Sequence, residues 1–213
     1  MILSQPTRQQ RSGEVVLTQL FGENLVPFYS QLGLKGHNGW DLFTGRYQDG
    51  KAPIYASHDG YVVSDKLAQS DTAGRFVRLL SDEMIIDGKP CKILTVYFHL
   101  SSARIGIQDA LWSPWFWKKP EQRYVKAGIL IGYGGNTGQY TTGPHLHFGL
   151  YILWKKSEGV YQSDTSNGYD GAVDPMPYMT DNTVYTKNTD TYLNGKKVAW
   201  SVAKPYLKPE YGF

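Results

Sequence analysis

"TTGPHLHFGL", Thr141 to Leu150, is the stretch on which the reading of this sequence turns. Two histidines, His145 and His147, stand one residue apart behind a Gly-Pro. Successive side chains of a strand alternate between faces, so His145 and His147 share one face while Leu146 and Phe148 share the other. An apolar face suits a core. Two imidazoles on the opposite face are seldom a packing device, and they pose the question of what the strand delivers.

The surrounding text is that of a β-rich chain. Its 213 residues suffice for one sizeable core and do not demand two domains. Glycine (23), tyrosine (16) and tryptophan (6) are generous, while strong helix formers are sparse. Short apolar runs alternate with turn dipeptides: "APIYASHDGYVVSD" around Asp59-Gly60, then "RFVRLLSD", "CKILTVYFHL", "GILIGYGG" and "HLHFGLYILW". No long segment keeps a 3.6-residue period. The expected fold is all-β, with antiparallel sheets forming a groove and short helices at most.

Three segments stand apart from that rhythm. Residues 1–13 are polar and are expected to form a mobile arm ahead of a domain spanning 14–180. "IQDALWSPWFWKKPEQRY", Ile107 to Tyr124, interrupts the strands with tryptophans and prolines as an insertion. The extension 181–213 contains Asn194-Gly195, the residue pair of a type I′ hairpin, and is expected to be an attachment or oligomer surface.

Composition also excludes classes. A net charge of +3 and a pI near 8.8 fit contact with a polyanion but fall short of a nucleic-acid footprint, and no basic run carries interleaved aromatics. Cys91 is the single cysteine, so no internal disulfide forms, and it is expected to pack as a small hydrophobe. The first residues show no apolar signal core, and no stretch approaches the roughly 18 apolar residues of a membrane span. The expectation is a chain without secretory signal or membrane span.

Only five histidines occur, and most fall in suggestive places. "GHNGWD" sets His37 four residues before Asp41, and "VYFHLS" sets His99 at the end of the strongest strand. His58, beside Asp59-Gly60, reads as a turn residue. A catalytic zinc takes about three protein ligands and keeps one position open for water. His37, Asp41 and one histidine of the pair would supply two nitrogens and one oxygen. His99 and the other histidine would then be free to handle protons and developing charge.

In order and character, "GHNGWD", "YFHLS" and "GNTGQYTTGPHLHFGL" resemble the motifs of the lysostaphin/LytM-type zinc metallo-endopeptidases, which cut peptide bonds in peptidoglycan. "APIYASHDGYVV", "VKAGILIGYGGNTG" and "GAVDPMPY" resemble the connecting text, so the likeness runs from about Val15 to Tyr178. It implies that His37, Asp41 and His147 ligate Zn2+ and that His145 and His99 are catalytic. The sequence leaves open which of the two is the general base; His145 is chosen for that part, with His99 orienting the water or stabilising the oxyanion. Trp112, Trp115 and Trp117 are expected to line the substrate groove.

The implied partner is peptidoglycan. The layout further suggests a phage-encoded lysin or virion-associated lytic protein, made in the cytoplasm and contacting virion tail proteins through 181–213. The rival expectations are a non-catalytic LytM-like module that binds wall or activates an amidase, and a virion structural protein with a vestigial site.

Overall fold

The computed structural model describes residues 3–7, 13–25, 27–45, 52–66, 72–103, 124–139, 141–179 and 181–207. Trp112, Trp115 and Trp117 lie outside these residues. Strand β1 (Val15–Gln19) leads through a four-residue helix, α1 (Phe28–Gln31), to β2 (Trp40–Phe43). Next come β3 (Pro53–Tyr55), β4 (Gly60–Lys66), β5 (Arg75–Leu80), β6 (Met84–Ile86), the long β7 (Lys89–Leu100) and β8 (Ser102–Ala103). After them run β9 (Tyr124–Val125), β10 (Leu130–Tyr133), β11 (His145–Ser157), β12 (Val160–Gln162) and β13 (Ala172–Val173). The hairpins of β14 (Val184–Lys187), β15 (Asp190–Leu193) and β16 (Lys196–Val198) precede a closing helix, α2 (Trp200–Ala203).

The main sheet runs β16-β15-β14-β1-β2-β11-β7-β5-β4-β9, with β6 paired to β7 and both β12 and β13 paired to β11. A small sheet, β3-β10-β8, stands apart. The fold is all-β, as its alternating runs and turn residues dictate. β11 is its spine: Leu146, Phe148 and Leu150 are fully buried and join Trp40, Leu42 and Tyr97 from the neighbouring strands. The small sheet adds Ile54 and Ile131 to the same core. Each such side chain contributes about 1.5–3 kcal/mol of burial, so the middle of the sheet is its most heavily anchored part.

Several expectations are corrected. The main sheet is not wholly antiparallel, because β1 and β14 pair in parallel. Residues 3–7 do not stand off as an arm. Leu3 is fully buried and bridges Met179, and the Ser4 amide donates to the Ser57 carbonyl at 2.7 Å. Leu3 does not act alone: the Tyr55 amide donates to the Pro6 carbonyl at 2.8 Å, and the buried Thr7 bridges Ile54.

Asp59-Gly60 lies at the expected bend, which carries the chain from β3 in the small sheet to β4 in the large one. His58 is buried beneath that crossing, with Nε2 3.0 Å from Thr95 Oγ1 and Nδ1 2.7 Å from the Asp59 carbonyl. Cys91 is buried in the core as a free thiol.

Residues 184–198, after Tyr178, are part of the sheet rather than an appendage. Asn194 and Gly195, both at positive φ, join β15 to β16, and β14 docks on β1. Tyr185 from β14 is buried against Trp40, with ring centroids 5.3 Å apart. No helix among the described residues is long and apolar enough to cross a membrane.

Candidate active site and metal centre

Register alone brings two of the expected ligands together. β11 pairs antiparallel with β2 so that His147 lies opposite Asp41, and Leu146 opposite Leu42. Directly opposed residues share a face with Cβ atoms about 4.5–5.5 Å apart. The leucines therefore enter the core while the imidazole and carboxylate meet on the other face. His37 arrives from the loop before β2. Its amide donates to the Glu23 carbonyl and its own carbonyl accepts from Gly22, each at 2.8 Å, which clips the loop to the turn after β1.

The donor atoms converge closely. His37 Nε2 lies 2.9 Å from His147 Nδ1, and Asp41 Oδ1 lies 3.2 Å from each. Ligand bonds of about 2.0–2.1 Å in a tetrahedron place donor atoms roughly 3.3 Å apart, so this triangle has the size a small cation needs. His37 Nδ1 donates to the Leu20 carbonyl at 3.2 Å, leaving Nε2 as a lone pair.

Burial alone would raise the Asp41 carboxyl, but the imidazoles of His147 and His37 outweigh it and hold the group well below the usual carboxylate range. Burial, reinforced by the charge of His37, lowers His147 against the pull of Asp41. His37, Asp41 and His147 each offer one ligand atom to this triangle, a set that can hold a metal.

Two further imidazoles flank the triangle. His145 follows from alternation along β11, with Nε2 3.8 Å from Asp41 Oδ1 and Nδ1 donating to the Gly143 carbonyl at 2.8 Å. His99 comes from β7 by another route. Phe98 is the register partner of His147 and stacks on its ring at 5.3 Å, so alternation would send His99 to the far side. Instead Val77 pairs with Tyr97 and Arg75 with Leu100, leaving Phe98 and His99 opposite Phe76 alone. This is a β-bulge, which re-aims a side chain. His99 takes φ +64°, and its ring lies 4.7 Å from that of His145. Its Nδ1 donates to the Thr137 carbonyl at 2.8 Å. Burial, with the charges of His145 and His147, lowers its pKa to about 4.

Residues 35–163 match the sequence profile of Peptidase family M23, a span that holds all five of these side chains. The chain belongs to that family. Among curated proteins, lysostaphin of Staphylococcus simulans is 34% identical over 83 residues, covering 39% of this chain and 11% of that protein. Lysostaphin of Staphylococcus staphylolyticus shows the same identity over 39% of this chain and 12% of its own length. Among solved structures, the catalytic domain of lysostaphin from S. simulans aligns at 26% identity and a TM-score of 0.46, covering 76% of this chain and 90% of that one. LytU aligns at 26% identity and a TM-score of 0.47, over 76% and 82%.

In this M23 peptidase the site opens into a groove of about 440 Å³. Phe28, Tyr29, Leu32 and Leu34 from around α1 form one wall, and Phe98 with the histidines forms the floor. Tyr29 donates to Gln19 Oε1 at 2.9 Å, and burial beside the Asp41 carboxylate pushes its pKa up to about 12. It therefore stays protonated at neutral pH.

Sequence reasoning missed Tyr29, whose segment carries no periodic pattern, and it gave no role to Gly39. A Cβ there would stand 2.7 Å from the Phe148 carbonyl and 2.8 Å from His147 Nε2, so only glycine lets the ligand loop cross β11. It also left Asp174 of "GAVDPMPY" without a task. Asp174 Oδ1 accepts from Trp40 Nε1 at 3.2 Å and from the Met176 amide at 2.9 Å, pinning the residue before Asp41.

Proposed function

We propose that this M23 peptidase is a zinc-dependent endopeptidase that hydrolyses peptide bonds in the stem or cross-bridge peptides of bacterial peptidoglycan. His37, Asp41 and His147 are its zinc ligands. The observation that carries this reading is the convergence of three metal-donor atoms, 2.9–3.2 Å apart, with two more imidazoles whose Nδ1 protons are committed to backbone carbonyls. Zinc bound there would leave a position open for water, lower that water's pKa toward about 7 and polarise the scissile carbonyl.

The remaining chemistry belongs to the chain. With Nδ1–H held by the Gly143 carbonyl, His145 presents Nε2 as a proton acceptor, and the imidazolium formed would lie 3.8 Å from Asp41 Oδ1. His145 is thus the general base, returning its proton to the leaving amine. His99 is held neutral, and its Nε2 in the tautomer fixed by Thr137 can only accept a hydrogen bond. It can orient the attacking water but cannot donate to an oxyanion. Tyr29 stays protonated on the groove wall, with its one proton given to Gln19 Oε1.

The test is elemental analysis of the purified, zinc-repleted protein together with mass spectrometry of products from defined muropeptides. One zinc per chain, and hydrolysis lost on chelation and regained with zinc, are expected. Absence of zinc after repletion would overturn the reading. Zinc and wall binding without any cleaved peptide would instead assign the chain to the non-catalytic modules.

A further inference from the structure

We propose that Thr137 is the positioning residue that aims His99, through a hydroxyl wedge driven into the bulge that carries it. The proposal rests on the assignment of His99 to the catalytic pair. A histidine at φ +64° sits in a backbone region that non-glycine residues seldom hold unless their surroundings fix it. Its amide is fixed by the Ala73 carbonyl at 3.0 Å, and its ring by the Thr137 carbonyl. That carbonyl must itself be immobile if it is to set the tautomer and direction of the imidazole.

Thr137 provides the anchorage with its own side chain. Oγ1 donates to the Leu100 carbonyl at 2.8 Å and accepts from the Arg75 amide at 3.0 Å. Arg75 and Leu100 are register partners on β5 and β7 at the mouth of the bulge. The hydroxyl is therefore interposed between the two strands whose mismatch turns His99 toward the groove. A hydroxyl can donate to a carbonyl and accept from an amide at once, which valine, of the same shape, cannot do. Serine keeps both bonds.

The experiment compares zinc-loaded wild type, Thr137→Val, Thr137→Ser, His99→Ala and the double variant His99→Ala/Thr137→Val on a defined muropeptide. It also reads the His99 tautomer by ¹⁵N NMR. Thr137→Val should lower kcat roughly 10–100-fold, the usual weight of an outer hydrogen-bond partner, with KM and zinc content held. Thr137→Ser should restore most of the rate. The wild-type His99 should be the Nδ1–H tautomer, and Thr137→Val should show a mixture. In the His99→Ala background, Thr137→Val should remove nothing further. An equal loss in both backgrounds, or an unchanged tautomer, would overturn the proposal. A His99→Ala variant with wild-type kcat would instead sink the role given to His99 itself. Should Thr137→Val fail to fold, Thr137→Ala removes the same hydroxyl without its added methyl.

Discussion

The middle of the main sheet, β2-β11-β7, and its C-terminal ribbon, β14-β15-β16, are built from the same kind of strand and meet on the same tryptophan. In the middle, every strand is flanked on both sides, and register places Asp41 against His147 and Phe98 under its ring. The ribbon carries none of the five site side chains and lies beyond the span matched by the family profile. Yet Tyr185 presses on Trp40, the residue that precedes Asp41, while Asp174 holds the indole N–H. In the function proposed above, one region carries the chemistry, through side chains that register sets face to face. The other supplies none, and fixes the strand on which the chemistry sits.

The largest effect should come from breaking that division. Deleting 181–213 removes the parallel partner of β1 and strips Trp40 of the Tyr185 ring. The truncated chain should lose cooperative unfolding and zinc together. Tyr185→Ala is the graded version, costing about 3–5 kcal/mol as large buried aromatics do, readable as a fall in Tm with kcat per folded molecule kept. A truncated protein that stays folded and cleaves muropeptides would make the ribbon a mere appendage.

Within the middle region, the next contrast separates neighbours on one strand. His147→Ala removes a metal donor, so zinc content, the stability that zinc lends and activity should fall together. His145→Ala should keep zinc bound while kcat drops by roughly 10²–10⁴-fold, the weight of a general base. Zinc content and kcat measured on both variants decide it. Equal zinc loss in both would mean that the pair ligates jointly.

Much of this was legible because alternation is a local rule. The order His145-Leu146-His147-Phe148 states which residues enter the core and which face the groove, and Asn194-Gly195 states a tight turn. His99 was named from its motif, but its direction was not legible. A bulge depends on how β5 is numbered against β7, and no stretch of either strand encodes that offset. The parallel docking of β14 and the burial of Leu3 are likewise tertiary: each was decided by a distant partner, β1 and Met179 respectively. Tyr29 and Thr137 act through bonds to residues 10 and 62 positions away, beyond any periodic pattern.

The smallest effect sharpens the comparison most, because both regions contain a residue at positive φ. Gly195 turns the ribbon at φ +76°, and a Cβ there would come 2.9 Å from the Met176 carbonyl. The left-handed backbone alone should make Gly195→Ala cost about 1–2 kcal/mol in denaturant unfolding, with the carbonyl contact adding to it, while kcat/KM stays at the wild-type value. His99, at φ +64°, holds a similar backbone with a side chain attached. Comparing His99→Gly with His99→Ala removes the ring in both and leaves only the backbone preference. The glycine variant should be the more stable by about 1–2 kcal/mol, and both should be equally impaired in kcat. The same conformational penalty would then be avoided by glycine where the ribbon only turns, and carried by histidine where the groove needs an imidazole. If His99→Gly and His99→Ala are equally stable, the bulge is relaxed and the surroundings, Thr137 among them, are not holding it against strain.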